Sequence, residues 1–245
     1  MEWHDEGIVL AARRHAESDV ILESLTREHG RHLGLVRGGA SRRIKSALLP
    51  GNTLTVTWRA RLSEHLGSFA VELRRERAGA ILERRDALIG LSAFAEISRA
   101  VLPEREPHPA LYAVAEILLD AVEQSEFAYW APLYVRWEMG VLAALGFGLD
   151  LSRCAATGRT SELDYVSPRS GRAVCREAAE PYRDRLLELP AFLIETRAAS
   201  VSPSDIRAGL ALTARFLFDR LLTPHQRPIP AARMRLDALA ARESA

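Results

Sequence analysis

Pro50-Gly51-Asn52-Thr53-Leu54-Thr55-Val56-Thr57-Trp58-Arg59-Ala60-Arg61 is the stretch on which the fold turns. Pro50-Gly51-Asn52 is a strong turn signal. After it, Leu54, Val56 and Trp58 fall on one side of an extended chain, with Thr53, Thr55, Thr57, Arg59 and Arg61 on the other. That period-two alternation predicts a half-buried β-strand. Gly67 opens a similar strand, with Phe69, Val71 and Leu73 on one face and Glu72 and Arg74 on the other. Toward the N-terminus, Gly7 precedes the apolar run Ile8-Val9-Leu10. Ser18 to Leu25 carries Val20, Ile21, Leu22 and Leu25, and a turn at His29-Gly30 precedes Leu33-Gly34-Leu35-Val36. Five short strands in residues 1–77 predict a small closed barrel.

From Ala78 the period changes to that of a helix. Ile81 to Leu102 predicts a helix that stops at Pro103, and Ala110 to Val122 predicts a second after the rigid break 103–109. Trp130, Leu133, Tyr134, Trp137 and Val141 form one apolar stripe of a third, ended by Gly146 and Gly148. Residues 150–177 lose periodicity and gain turn residues. Helices then resume, with Ser202-Pro203-Ser204-Asp205 as a capping signal before Ile206 to about Leu222, and a tail helix from Ala231 after Pro224, Pro228 and Pro230.

Of the 245 residues, 48% are hydrophobic and 27% charged, a composition that supports packed domains. No apolar run is long enough to span a bilayer, and Met1-Glu2-Trp3-His4 lacks the basic start of a secretory signal, so the cytoplasm is the expected compartment. Net charge is +1, and Lys45 is the only lysine. A phosphate-binding P-loop needs Gly-Lys-Ser/Thr, whereas Lys45 follows Arg42-Arg43-Ile44, which excludes that kind of nucleotide hydrolysis.

Arg37-Gly38-Gly39-Ala40-Ser41-Arg42-Arg43-Ile44-Lys45 is the strongest local signal. It joins two barrel strands, and the paired glycines predict a flexible loop whose amides and Ser41 hydroxyl can meet phosphates. Arg37, Arg42, Arg43 and Lys45 are candidate phosphate contacts, with Arg59 and Arg61 extending the patch. Spacing alone weighs a solvated basic loop evenly with a nucleic-acid surface. The barrel context favours the second, since such barrels hold single strands across an open face. Trp58 and Phe69 fall on the core face, so backbone binding is expected rather than base stacking.

Cys154-Ala155-Ala156-Thr157-Gly158 and Cys175-Arg176-Glu177-Ala178 have the outline of two zinc knuckles, each with its second cysteine replaced. Two ligands do not close a structural zinc site, so Cys154 and Cys175 are remnant ligand positions and no metal is expected. Leu163, Tyr165 and Val166 with Ala173 and Val174 are expected to form a hairpin instead. The seven histidines are scattered without catalytic partners and are expected at surfaces and turns. No catalytic residue and no cofactor site is expected.

Asp5-x-Gly7-Ile8-Val9-Leu10, Thr26-Arg27-Glu28-His29-Gly30, Leu35-Val36-Arg37-Gly38-Gly39-Ala40-Ser41, Leu149-Asp150-Leu151-Ser152-Arg153-Cys154-x-x-Thr157-Gly158, Tyr165-Val166-Ser167-Pro168-x-Ser170-Gly171-Arg172-Ala173-Val174 and Arg215-Phe216-Leu217 together resemble the RecO family of recombination-repair proteins. The resemblance runs through nearly the whole chain in order. It implies a multidomain α+β protein: an N-terminal five-stranded OB-fold barrel (1–77) and a C-terminal helical domain (78–149 and 178–245). That domain carries an inserted degenerate zinc-ribbon-like module (150–177), in which this chain departs from members with four zinc cysteines. It implies a non-enzymatic mediator of the RecF pathway that binds single- and double-stranded DNA, anneals complementary strands without ATP, and helps load RecA. RecR, the C-terminal tail of the single-stranded-DNA-binding protein and, indirectly, RecA and RecF are the implied partners. The tail is expected on the helical half, and the location is nucleoid-associated cytoplasm. Arg169, Arg172 and Arg176 are secondary candidates for DNA or RecR contact, with a solvated surface as the competing role. Two other functions fit the same residues: an OB-fold RNA-binding protein, and a protein adaptor that binds no DNA.

Overall fold

The alternation after Asn52 is realised as strand β4 (Thr53–Arg59), which pairs antiparallel with β5 (Ser68–Arg75) and, on its other side, with β1 (Glu2–His15). Strands β2 (Asp19–Thr26) and β3 (Gly30–Val36) complete a five-stranded sheet that closes on itself in the order β1-β2-β3-β5-β4. A four-residue helix, α1 (Arg42–Lys45), lies between β3 and β4. This computed structural model describes residues 1–194 and 201–244, so 195–200 and 245 of the expected helical stretch 178–245 lie outside the described residues.

Leu54, Val56 and Trp58 point inward with Val9, Leu22 and Phe69, as the alternation requires. The Trp58 indole N–H donates to the Leu66 carbonyl at 3.0 Å, so its one polar atom is satisfied inside the core. Gly67 sits at φ +66°, and a Cβ there would lie 2.4 Å from the Trp58 indole nitrogen. Glycine is therefore required where the chain turns into β5. The alternation fails at two places. Leu73, expected in the core, is 43% exposed, because β5 meets β3 through the single pair Leu35↔Ser68 and little covers its second half. Thr53, expected on the polar face, is buried; its hydroxyl donates to Glu116 and accepts from Arg77, both at 2.7 Å.

The chain forms two compact units, Met1–Ser125 and Glu126–Ala245, so the first helices belong with the sheet although the change of period falls near residue 77. The helix expected from Ile81 to Leu102 is broken into α2 (Ala78–Leu82) and α3 (Arg85–Val101). α4 (Pro109–Gln124) follows. Arg77, fully buried, ties α4 to the sheet through Asp120 at 2.7 Å, Glu116 at 3.2 Å and the Gly51 carbonyl at 3.3 Å.

The second unit contains α5 (Phe127–Ala144), β6 (Leu163–Val166), β7 (Ala173–Cys175), α6 (Arg176–Ala179), β8 (Leu187–Glu188), α7 (Pro203–Phe216) and α8 (Ala231–Glu243). Trp130, Tyr134, Trp137 and Val141 are fully buried along α5, as the stripe predicts, whereas Leu133 of the same stripe is only half-buried. Ser202 and Asp205 form the expected capping box at the start of α7. α7 runs on into a π-helical turn at Leu217–Leu222. On α8, Arg233 is completely buried and meets Glu138 of α5 at 2.6 Å, with Asp237 beside it. No helix among the described residues is long and apolar enough to cross a membrane.

Candidate nucleic-acid interface

The basic loop leaves β3 at Val36 and ends in α1. Arg37, Ser41, Arg42, Arg43 and Lys45 are all exposed. Among the described residues none of Arg37, Arg42, Arg43 and Lys45 forms an ion pair, so these cations are available to an incoming anion. The loop itself is pinned, which differs from the flexible loop expected. The Gly38 amide donates to the Asp19 carboxylate at 2.9 Å, the Gly39 amide to the Val36 carbonyl at 3.2 Å, and the Ala40 amide to the Ser18 carbonyl at 2.9 Å. Gly38 adopts φ +63°, and a Cβ on Gly39 would lie 2.9 Å from that of Val20. The glycines thus serve a tight turn and a close approach to β2, and their amides are already satisfied. Phosphate contact falls to the side chains.

Those bonds fasten the loop to the β1–β2 hairpin, which brings in two arginines that sequence reasoning missed. Arg13 and Arg14 are exposed at the end of β1, opposite Ile21 and Val20. The adjacent Arg13-Arg14-His15 was the only signal for them, and nothing local says that a hairpin tip lies beside residues 38–40. The register then runs Arg13↔Ile21↔Leu35↔Ser68↔Arg59 across the sheet. Four strand spacings separate the two arginines, about 19 Å along the surface. Between them lie the half-buried Ile21 and Leu35 and no aromatic ring.

Arg59 is less free than the loop cations. Its guanidinium bonds Glu2 at 2.7 Å, and this partner raises the Arg59 pKa while lowering that of Glu2. Arg61 lies beyond the end of β4 in the β4–β5 connection and is exposed. Arg105 holds that connection in place by donating to the carbonyls of Ser63, Glu64 and His65.

His4, His15, His65 and His225 are exposed as expected, whereas His32 and, through its carboxylate partner, His29 depart from expectation. His32 is buried among Trp3, Trp58 and Phe69, and burial, with Arg105 and His29 nearby, pushes its pKa down to about 4. His29 stacks on Trp3 with ring centroids 4.0 Å apart and has a carboxylate partner, Asp5, at 2.9 Å. Trp3, His29, His32, Trp58 and Phe69 thus pack against one another as one aromatic cluster.

In the second unit, Arg172 pairs with Asp150 at 3.4 Å and Arg176 with Asp164 at 2.6 Å. Arg169 is exposed, and its carbonyl accepts from Arg220 at 2.7 Å. The hairpin expected here is present, with Leu163↔Cys175, Tyr165↔Val174 and Val166↔Ala173, and β8 adds a third strand that the sequence did not signal. Cys154 and Cys175 are free thiols buried together. The Cys175 amide donates to the Cys154 sulfur at 3.2 Å, and the Thr157 hydroxyl lies 3.5 Å from the Cys175 sulfur. Burial opposes ionisation of Cys154. The Thr157 hydroxyl and the amides of Cys175, Thr157 and Ala156 outweigh it and bring the pKa down to about 6. The amides of Ala156, Thr157 and Cys175 thus converge on the Cys154 sulfur, and the Thr157 hydroxyl lies against the Cys175 sulfur. Among the described residues no group of three or more His, Cys, Asp or Glu side chains is placed to hold a metal ion.

A family model described as "Recombination protein O N terminal" matches residues 1–76, and "Recombination protein O C terminal" matches residues 82–227. The chain belongs to the RecO family. Curated members are similar over nearly their whole length. A DNA repair protein RecO of Methylobacterium nodulans is 52% identical over 237 residues, covering 95% of each chain. Its counterpart in Rhodospirillum rubrum is 49% identical over 238 residues, covering 96% of this chain and 94% of that one. One of Cereibacter sphaeroides is 50% identical over 244 residues, covering 99% of both. The two RecO matches meet near residue 80, close to the change of period, whereas the compact units divide at residue 125.

Proposed function

We propose that this RecO-family chain is a non-catalytic mediator of DNA repair and RecF-pathway recombination. We read its closed five-stranded sheet as an OB-fold that binds single- and double-stranded DNA by the phosphate backbone. The observation that carries this is the set of unpaired cations, Arg37, Arg42, Arg43 and Lys45, on a loop fixed against the sheet. The bonded main chain of residues 38–40 presents these cations with little further loss of backbone entropy on meeting a charged strand, and counterion release supplies the free energy. Arg13, Arg59 and Arg61 extend the same band, while Arg169, Arg172 and Arg176 are secondary contacts to DNA or RecR.

This arrangement suits annealing without ATP. Phosphates are neutralised, so two strands approach without full repulsion. Ile21 and Leu35 offer no ring on which bases stack, so base edges stay free to pair. RecR, RecF, RecA and the acidic tail of the single-stranded-DNA-binding protein are the partners that family membership suggests, with the tail docking on the helices between Ala78 and Leu222. Such a tail needs an apolar pocket and an arginine for its terminal carboxylate. The expected location is the cytoplasm, at the nucleoid.

The test is annealing of complementary strands coated with single-stranded-DNA-binding protein, without nucleotide. Faster pairing than in the protein's absence supports the proposal. No acceleration, or equal preference for structured RNA in competition, refutes it.

A further inference from the structure

Past Val9 the first strand keeps a partner on one side only. β4 follows β1 from Glu2 to Ile8, whereas β2 follows it to His15. The register shift between Val9 and Ala11 bends the strand where β4 is left behind. The edge so opened borders a groove of ≈ 520 Å³ whose opposite wall is the chain from Lys45 to Pro50. Leu10, Val20, Leu48 and Pro50 line it, and the exposed Arg14 and Lys45 stand at its mouth. A second cavity of ≈ 240 Å³ shares Leu10, Leu49 and Pro50 with it and continues to the exposed Leu82 and Leu88.

These features specify an occupant. An unpaired strand edge offers main-chain donors and acceptors in a row. The small side chains of Ala11, Ala12 and Ala40 let another backbone approach. Apolar walls take alternate side chains of an extended chain, which is how strand addition acquires specificity. The mouth is cationic: Lys45 has no ion pair among the described residues, and the Arg14 guanidinium donates to the Glu17 carbonyl at 2.7 Å. A second copy of this chain would set Arg13 and Arg14 against their own kind. A nucleic-acid strand would use the cations but not the strand edge or the apolar walls.

We propose that this groove receives an extended acidic segment of a protein partner, which adds a strand to the open edge of β1 at Ala11–His15. Arg14 and Lys45 attract its carboxylates, and Leu48 and Pro50 take its apolar groups. The proposal does not depend on DNA binding by the basic loop. It also differs in chemistry from capture of a terminal carboxylate, since the main chain carries the contact.

The probe is a fluorescein-labelled peptide, acetyl-Asp-Val-Asp-Leu-Asp-Val-amide, titrated into the full chain by anisotropy, with hydrogen exchange followed at residues 11–15. Saturable binding and slowed exchange there are expected. Ala12→Trp, which fills the groove from an exposed position, should weaken binding about tenfold or more. So should Arg14→Glu with Lys45→Glu, and a peptide with Lys in place of Asp should then bind that double variant better than it binds the parent. The proposal fails if binding does not saturate, or if neither variant changes it. It also fails if an oligothymidylate slows exchange at residues 11–15 and the peptide does not. The charge-swapped peptide guards against loss of fold, because only a folded groove gains from it.

Discussion

Replacing Arg37, Arg42, Arg43 and Lys45 together by alanine is expected to flatten the salt dependence of single-stranded DNA binding while leaving the fold intact. All four side chains are exposed, and none is in an ion pair among the described residues. Each can therefore neutralise a phosphate without first losing a partner. At about 0.7 log units of affinity per log of salt for each phosphate, four contacts amount to a slope change of about 2.8. Between roughly 50 and 200 mM salt the parent should lose about 50-fold more affinity than the variant. Stability should move by no more than about 0.5 kcal/mol, as for ordinary surface substitutions. The assay is anisotropy of a labelled oligothymidylate at a series of salt concentrations, with thermal unfolding alongside. Arg59→Ala is the internal comparison: Arg59 must leave Glu2 before it meets a phosphate, so its effect on the slope should be smaller than that of one loop cation. A quadruple variant that stays folded and keeps the parental slope would refute the assignment of the loop.

Arg233→Ala should cost about 3–5 kcal/mol in denaturant unfolding, because it leaves Glu138 charged and buried. Replacing Arg233 and Glu138 together by apolar residues should recover much of that loss. Stability should fall as pH drops from 6.5 toward about 4, since His32 takes a proton in the unfolded chain at the higher value and in the folded one only at the lower. His32→Phe should shrink the fall in melting temperature across that window; an unchanged profile would show that His32 does not govern it. Purified protein should carry no stoichiometric zinc, and a chelator should leave its melting temperature where it was. A tightly held zinc per chain, with unfolding on its removal, would contradict the thiol-and-Thr157 arrangement around Cys154 and Cys175.

Much of this protein is written in short-range pattern. The alternation through Leu54, Val56 and Trp58, the stripe from Trp130 to Val141 and the capping box at Ser202 each follow from which side of a regular element a residue must face. The family was legible too, because its residues recur in order along the chain. What sequence left undetermined depends on residues far apart in it. Thr53 sits on the polar side of its strand and yet is buried, because α4 brings Glu116 across it. Arginines that look alike in sequence part company: Arg77 and Arg233 are enclosed with carboxylates, while Arg42 and Arg43 stand in water. Local sequence assigns a charge its sign, but desolvation and pairing depend on what the fold sets against it. The basic loop was visible as a run of cations. Its rigidity, its neighbours Arg13 and Arg14 and the open edge of β1 exist only once strands distant in sequence share a register.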